Sequence, residues 1–156
     1  MRTTAASPTT WTRSWDALPA ARALSIVCDA VAKLHEVGVV HADLTLAHAF
    51  VDDRLSRAAL IDLGAAVLDG QPLVEGTPAY RAPEATAGGR ASLRIDVFAL
   101  GRMLRRALTG PRASFAEPLP ASTPPRLRAA VEAACDPDPE GRPKHASELA
   151  AALREV

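Results

Sequence analysis

The sequence of 156 residues predicts a mainly helical domain that carries one small β-hairpin. Apolar residues recur every three or four positions over about 20–36, which is the spacing of one helix face. A second stretch, beginning at Arg94, is apolar almost all round, as is typical of a buried helix. Between the two lie short apolar runs separated by turn residues, a pattern that indicates a hairpin. The 33 alanines of the chain also favour helix.

The first helix is predicted to run from Ala20 to about Glu36, with Gly38 as the residue that ends it. Its buried face would be formed by Leu24, Val27, Cys28, Val31 and Leu34. Residues 1–14 before it are small and polar and show no apolar period, so we expect a flexible N-terminal tail. The packed domain would then cover residues 15–156, a length that suits one hydrophobic core.

Two short apolar runs, 49–51 and 58–61, flank the turn residues Asp52-Asp53-Arg54 and predict the hairpin. Residues 64–83 then contain several glycines and prolines and no apolar period. We expect them to form a long ordered loop, and long loops inside compact domains are usually functional.

The second half of the chain is predicted to be helical. After the buried helix from Arg94, a proline-rich link leads to a helix at about Pro125–Cys135. Residues 136–143 form a cluster of turn signals, and a last amphipathic helix is predicted over Ser147–Arg154.

The composition excludes several classes of protein. The 18 basic and 18 acidic residues cancel, which argues against nucleic acid or an acidic membrane as partner. No apolar run is long enough to span a membrane, and no signal-peptide core follows Met1. Cys28 and Cys135 match neither a disulfide framework nor a zinc site, so we expect a reducing, cytoplasmic location.

Several short motifs follow one another in a specific order. They are His41-Ala42-Asp43-Leu44, Asp62-Leu63-Gly64, the segment 76–84 that ends in Ala82-Pro83-Glu84, Asp96 in the buried helix, and Gly141-Arg142-Pro143. Each of these motifs is weak evidence when it occurs alone. In this order the set resembles the C-terminal lobe (C-lobe) of bacterial Ser/Thr protein kinases of the eukaryotic type, over about residues 15–156.

The resemblance implies phosphotransfer chemistry with ATP and Mg²⁺ as cofactors. Asp43 takes the position of the catalytic base, which orients the hydroxyl of the substrate. Asp62 and His48 take the two metal-binding positions, and a carboxylate oxygen suits a hard cation. Thr77 takes a position that shapes the substrate site beside Asp43.

The resemblance gives other residues structural roles. Glu84 and Arg142 would form a buried ion pair that anchors the long loop to the lobe. Asp96 would accept backbone hydrogen bonds from the loop that carries Asp43. His41 is expected to pack and anchor that loop, not to act in catalysis.

Four further residues lie outside these roles. We predict that His35 and His145 are ordinary surface residues. Tyr80 and Arg81 allow two interpretations: they contact a peptide substrate, or they only pack the loop.

The sequence departs from the family pattern close to the site. Ala42 replaces an arginine and residues 65–76 contain no Ser, Thr or Tyr, so we predict no phosphorylation switch in this loop. Thr45 replaces a lysine at the substrate site and brings no positive charge. His48 replaces an asparagine, and imidazole suits zinc or manganese better than magnesium. Phe50 stands where the family has a branched aliphatic residue, at the floor of the nucleotide pocket.

No glycine-rich loop or strand lysine precedes residue 15, and neither Lys33 nor Lys144 fits the role of the lysine that binds ATP. The sequence therefore predicts a C-lobe without the nucleotide-binding N-terminal lobe (N-lobe). Three alternatives stay open: a component that transfers phosphate only with a partner, a pseudokinase that serves as a binding module, and a fragment of a full-length ATP-dependent kinase with a mis-assigned start. The first two require a protein partner or a second copy to cover an apolar face near His41, Phe50 and Leu63.

Overall fold

A computed structural model describes residue 11 and residues 14–74, 76–86 and 88–156. Within these residues four α-helices form most of the regular structure. They are α1 (Ala17–Glu36), α2 (Leu93–Thr109), α3 (Pro125–Ala134) and α4 (Ala146–Arg154). The helical fold class predicted from the sequence is therefore confirmed, and all four helices lie close to their predicted positions.

Helix α1 packs against both α2 and α4, and α1 and α2 contribute the largest shares of the core. It begins at Ala17, three residues earlier than predicted, and the Trp15 N–H donates to the Ala107 carbonyl (2.8 Å), which ties the start of α1 to the end of α2. At its other end the Gly38 N–H donates to the His35 carbonyl. Gly38 has φ +70°, a conformation that glycine adopts without steric cost.

Helices α2 and α3 approach each other closely at Gly101. A Cβ atom at this position would lie 2.8 Å from both Ala134 Cβ and Cys135 Sγ, so a larger residue would push the helices apart. Small side chains are common throughout the core, where many of the buried residues are alanines. They include Ala20, Ala23, Ala107, Ala130, Ala134 and Ala150. The alanine-rich composition thus lets the helices pack at short distance.

The predicted hairpin is present as strands β2 (Ala49–Val51) and β3 (Ala58–Leu60), which pair antiparallel. A second ribbon, which the sequence did not indicate, pairs β1 (Val39–Val40) with β4 (Val67–Leu68). Strands of two residues are too short to show an alternating pattern. This ribbon brings the start of the long loop next to the end of α1.

Backbone hydrogen bonds to residues 89 and 91 hold the described part of segment 64–83 in place. The Leu73 N–H donates to the Gly89 carbonyl (2.7 Å), and the Ala91 N–H donates to the Gln71 carbonyl (2.8 Å). A small separate core attaches the loop to α2. It consists of Val40, Leu73, Ala82, Ala85, Ala91, Ile95 and Phe98.

Most of the predicted tail, residues 1–14, lies outside the described residues. Trp11 is described, and it is packed: its indole N–H donates to the Ala49 carbonyl (3.0 Å), and its ring stacks on Trp15 with centroids 4.8 Å apart. The packed part of the chain therefore includes Trp11, ahead of the predicted boundary at residue 15.

Both cysteines are free thiols. Burial raises the pKa of Cys135 to about 11 and raises that of the fully buried Cys28 further still. Neither thiol is therefore an effective nucleophile near neutral pH. None of the helices in the described part of the chain is both long and apolar enough to cross a membrane.

Candidate active site

A buried carboxylate on α2 holds the loop that carries Asp43. Asp96 is fully buried, and its two oxygens accept the backbone N–H groups of His41 (2.7 Å) and Ala42 (3.0 Å). Ala42 has φ +65°, a left-handed conformation that a residue with a side chain rarely adopts. The two bonds to Asp96 hold the loop in this strained turn, immediately before Asp43.

His35 completes this anchor, so its prediction as a surface residue is wrong. The side chain is buried; Nδ1 accepts from the Ala146 N–H (3.3 Å), so Nε2 carries the proton that it donates to Asp96 (3.1 Å). The ring thereby links α1, α2 and the start of α4. The helical period offered the missed signal, because His35 follows Val31 by four positions on the buried face of α1. His145 is exposed, as predicted.

His41 is fully buried, and its Nε2 donates to the Ile61 carbonyl (3.2 Å). The ring therefore joins the loop of Asp43 to the segment that leads into Asp62. Because His41 is buried, it is not part of the apolar face expected beside it. That face is formed instead by Ile61 and Leu63, whose side chains are 47% and 51% exposed.

Asp43, His48 and Asp62 come together beside the hairpin, with one possible ligand atom from each within 4.8 Å of the others. His48 Nδ1 lies 2.6 Å from the Asp43 carbonyl oxygen, and its Nε2 lies 3.7 Å from Asp62 Oδ2. A carbonyl can only accept, so Nδ1 carries the proton of the neutral ring. Nε2 then presents its lone pair on the side of Asp62, which is the tautomer that a metal-binding imidazole needs.

This donor set suits a divalent cation, but a softer one than magnesium. The Asp62 carboxylate offers the oxygen ligand that hard cations prefer, whereas the imidazole nitrogen of His48 favours manganese or zinc. Asp62 has φ +60° and precedes the short 3₁₀ turn Leu63–Ala65. Gly64 leaves room for its carboxylate, because a Cβ there would lie 3.3 Å from Asp62 Oδ1.

The long loop passes directly over Asp43. The Thr77 N–H donates to Asp43 Oδ1 (2.7 Å), and a Cβ at Gly76 would lie only 2.6 Å from the Ala42 carbonyl oxygen. Glycine is therefore required for this close approach. A small pocket, with room for about one water molecule, lies beside Asp43 and is lined by Thr77, Tyr80 and Arg81 as well as by residues of α2.

Two predicted site residues stand apart from this pocket. Thr45 is buried, and its hydroxyl accepts from the Ala47 N–H (3.2 Å), which caps the turn Leu46–His48. It is not among the residues that line the pocket beside Asp43, and its role at the substrate site stays a prediction. Phe50 lies half-buried on the hairpin, opposite Ala59, and its role as the floor of a nucleotide pocket stays a prediction.

Glu84 and Arg142 form a two-pronged ion pair at the end of the loop (2.6 and 2.9 Å). The Arg142 side chain is fully buried, and its remaining N–H groups donate to three backbone carbonyls. These belong to Asp136 (2.6 Å), Arg94 (3.3 Å) and Pro137 (3.1 Å). All five donors of the guanidinium are thus used. The pair ties the loop to the turn before α4.

The sequence of this chain is similar to those of known protein kinases. A family model for the protein kinase domain matches residues 12–143. The DNA damage-responsive serine/threonine-protein kinase RqkA of Deinococcus radiodurans is 37% identical over 102 residues, and PkaA of Streptomyces coelicolor is 33% identical over 153. The matches cover 59% and 83% of this chain, but only 15% and 28% of those kinases.

The fold resembles a solved structure of the ROP18 kinase domain in complex with AMP-PNP and sucrose. The TM-score is 0.70 at 23% identity, over 88% of this chain and 42% of that one. At this identity the likeness concerns the fold.

Proposed function

Because this chain belongs to the protein kinase family and is similar to bacterial Ser/Thr kinases, we propose that it forms the substrate half of a phosphotransfer site. It works with a nucleotide-binding lobe that the described residues do not contain. The observation that carries this proposal is the bond from the Thr77 N–H to Asp43 Oδ1, which fixes the carboxylate at the mouth of a pocket. A Ser or Thr hydroxyl in that pocket would meet a positioned acceptor.

Each site residue then has a distinct task. Asp43 Oδ1 is occupied by Thr77, which leaves Oδ2 to orient the incoming hydroxyl and to accept its proton. Asp62 and His48 would hold the divalent cation, which would neutralise charge on the phosphates when bound. Neither Ala42 nor Thr45 brings a cation to the site. The positive charge that phosphotransfer needs therefore depends on the metal and on the second lobe.

A transfer assay tests this proposal. The purified chain is mixed with radiolabelled ATP and a Ser/Thr peptide, alone and with candidate partners such as the products of neighbouring genes. We expect transfer only with a partner, and we expect Asp43→Asn to abolish it while Asp69→Asn, an equivalent change at an exposed aspartate, leaves it intact. No transfer in any combination, or transfer that survives Asp43→Asn, would reject the proposal.

A second candidate is a pseudokinase that serves as a binding module. The replacements at Ala42, Thr45 and His48 favour it, and so do Ile61 and Leu63, which expose apolar surface on either side of Asp62. A partner protein or a second copy of the chain would cover this surface. Light scattering should then show a dimer or a complex that Leu63→Asp disrupts, while Val74→Asp, also at an exposed apolar residue, leaves it unchanged. A chain that is monomeric at high concentration and has no partner would contradict this candidate.

A further inference from the structure

Helix α2 and the link that follows it carry several arginines, and the proposed function gives these side chains no role. Residues 94–112 contain five arginines and a single carboxylate, the buried Asp96. Arg102 and Arg106 lie one helical turn apart, and their guanidinium carbons stand 4.5 and 4.2 Å from the centre of the Phe115 ring. No ion pair among the described residues includes Arg102, Arg106 or Arg81.

These side chains adjoin the pocket beside Asp43. Arg81 and Tyr80 line the pocket, and the Tyr80 ring meets Phe115 edge to face with centroids 5.6 Å apart. Ala99, which precedes Arg102 by three residues on α2, lines the same pocket. We call Arg81, Arg102, Arg106 and Phe115 the arginine patch. It extends from the pocket along one side of α2.

The arginines of the patch are held in place but lack a counter-charge. Arg102 lies over the rings of Phe98 (5.1 Å) and Phe115, Arg106 donates to the carbonyls of Pro111 and Ala113, and Arg81 donates to that of Gly76. The buried Nε atoms of Arg81 and Arg102 have no hydrogen-bond partner. A stacked guanidinium loses little entropy when it binds a carboxylate, and a half-buried charge gains from an opposite one.

We propose that the arginine patch binds an acidic peptide, so that this site takes substrates with Glu or Asp close to the phosphoacceptor Ser or Thr. The inference rests on the proposed function, which puts the substrate hydroxyl beside Asp43. It gives Arg81 and Tyr80 the role of peptide contacts, one of the two interpretations open from the sequence. Nucleic acid is disfavoured because the chain as a whole is neutral.

Fluorescence anisotropy with short labelled peptides tests this inference without ATP. Three peptides share a central Ser and differ only in their flanking residues, which are Glu, Gln or Lys. We expect the Glu peptide to bind about tenfold more tightly than the Gln peptide, as two charge-assisted hydrogen bonds allow, and the Lys peptide to bind least. The advantage of the Glu peptide should shrink as salt is added.

Two double variants test whether the arginine patch is the part of the chain that binds the Glu peptide. Arg102→Gln with Arg106→Gln should lower the affinity for the Glu peptide about tenfold and leave that for the Gln peptide unchanged. Arg54→Gln with Arg57→Gln removes the same charge from exposed positions of the hairpin turn and should change neither affinity. Lysine at positions 102 and 106 should restore part of the binding, because it keeps the charge but not the planar fork.

Equal binding of the Glu and Gln peptides to the unaltered chain would overturn the inference, and this comparison holds even if a variant fails to fold. Tighter binding of a single-stranded RNA than of the Glu peptide would overturn it as well. Because the assay contains no ATP, its outcome is separate from that of the phosphotransfer assay. A chain that binds the Glu peptide but never transfers phosphate would refute only the proposed function.

Discussion

Replacement of Arg142 by lysine should destabilise the whole domain. Its guanidinium uses all five N–H groups, two on Glu84 and three on backbone carbonyls. An ammonium group has three donors on one atom and cannot span both Glu84 oxygens and the three carbonyls together. Arg142→Lys therefore leaves buried carbonyls without a donor and weakens the ion pair.

The size of the loss follows from the burial of the two partners. At an effective dielectric constant of about 20, two unit charges about 4 Å apart attract each other by about 4 kcal/mol. Glu84 is 31% exposed, so water screens part of this attraction, whereas Arg142 is shielded completely. Because lysine keeps the charge, the larger loss comes from the acceptors: three N–H donors leave at least two of the five acceptors unpaired, each at a cost of about 1–3 kcal/mol. We therefore expect a loss of about 3 kcal/mol in the free energy of unfolding.

Thermal unfolding followed by circular dichroism measures this loss. For a domain of 156 residues, about 3 kcal/mol corresponds to a fall in Tm of about 9 °C. The matched control is Glu140→Gln, which removes the neighbouring pair with Arg94; Glu140 is 79% exposed, and its loss should cost less than about 1 kcal/mol. A fall of less than about 2 °C for Arg142→Lys, or an equal fall for both variants, would contradict the structural role assigned to Arg142.

Three other predictions concern the loop and the site. Gly76→Ala should displace the loop from Ala42 and cost about 1–3 kcal/mol in urea unfolding, because the new Cβ would lie 2.6 Å from a backbone carbonyl; an unchanged midpoint would contradict this. His48→Asn should weaken Mn²⁺ binding about tenfold, measured by electron paramagnetic resonance, without weakening Mg²⁺ binding; equal effects on both metals would argue against His48 as a ligand. Hydrogen bonds from Ser56 and Arg57 lower the pKa of Asp52 to about 2, below its unfolded value. Asp52 therefore stabilises the hairpin above about pH 4 and loses this effect as the pH falls towards 2; an NMR titration midpoint near pH 4 would contradict this.

The helices could be predicted because their apolar periods extend over several turns, and the hairpin could be predicted because turn residues separate its two apolar runs. The first and last residues of the helices were harder to predict. The start of α1 depends on the bond from the Trp15 N–H to the Ala107 carbonyl, a contact between residues far apart in the chain. The pairing of β1 with β4 depends on tertiary contacts in the same way. Strands this short carry no signal of their own.

Some site residues could be predicted from the sequence, and others could not. The ordered motifs indicated Asp43, Asp62 and Thr77, and these side chains do lie around one site. The motif predicts Thr45 at the substrate site, but it did not indicate that the Thr45 hydroxyl caps a local turn. A short polar side chain readily forms hydrogen bonds with its neighbouring backbone, and the tertiary structure decides which of its possible partners it takes. The buried role of His35 was readable from the helical period.

The bonds that hold the site together do not depend on the groups that would touch phosphate. The carboxylate of Asp96 holds the loop of Asp43 through backbone N–H groups, so the side chain at Ala42 is not needed for this anchor. His48 is fixed through the Asp43 carbonyl, which again is a backbone group. The chain can therefore lack cationic side chains at Ala42 and Thr45 and still present Asp43 in the same place. For this reason the proposed peptide recognition and the proposed phosphotransfer can be tested separately, each with its own assay.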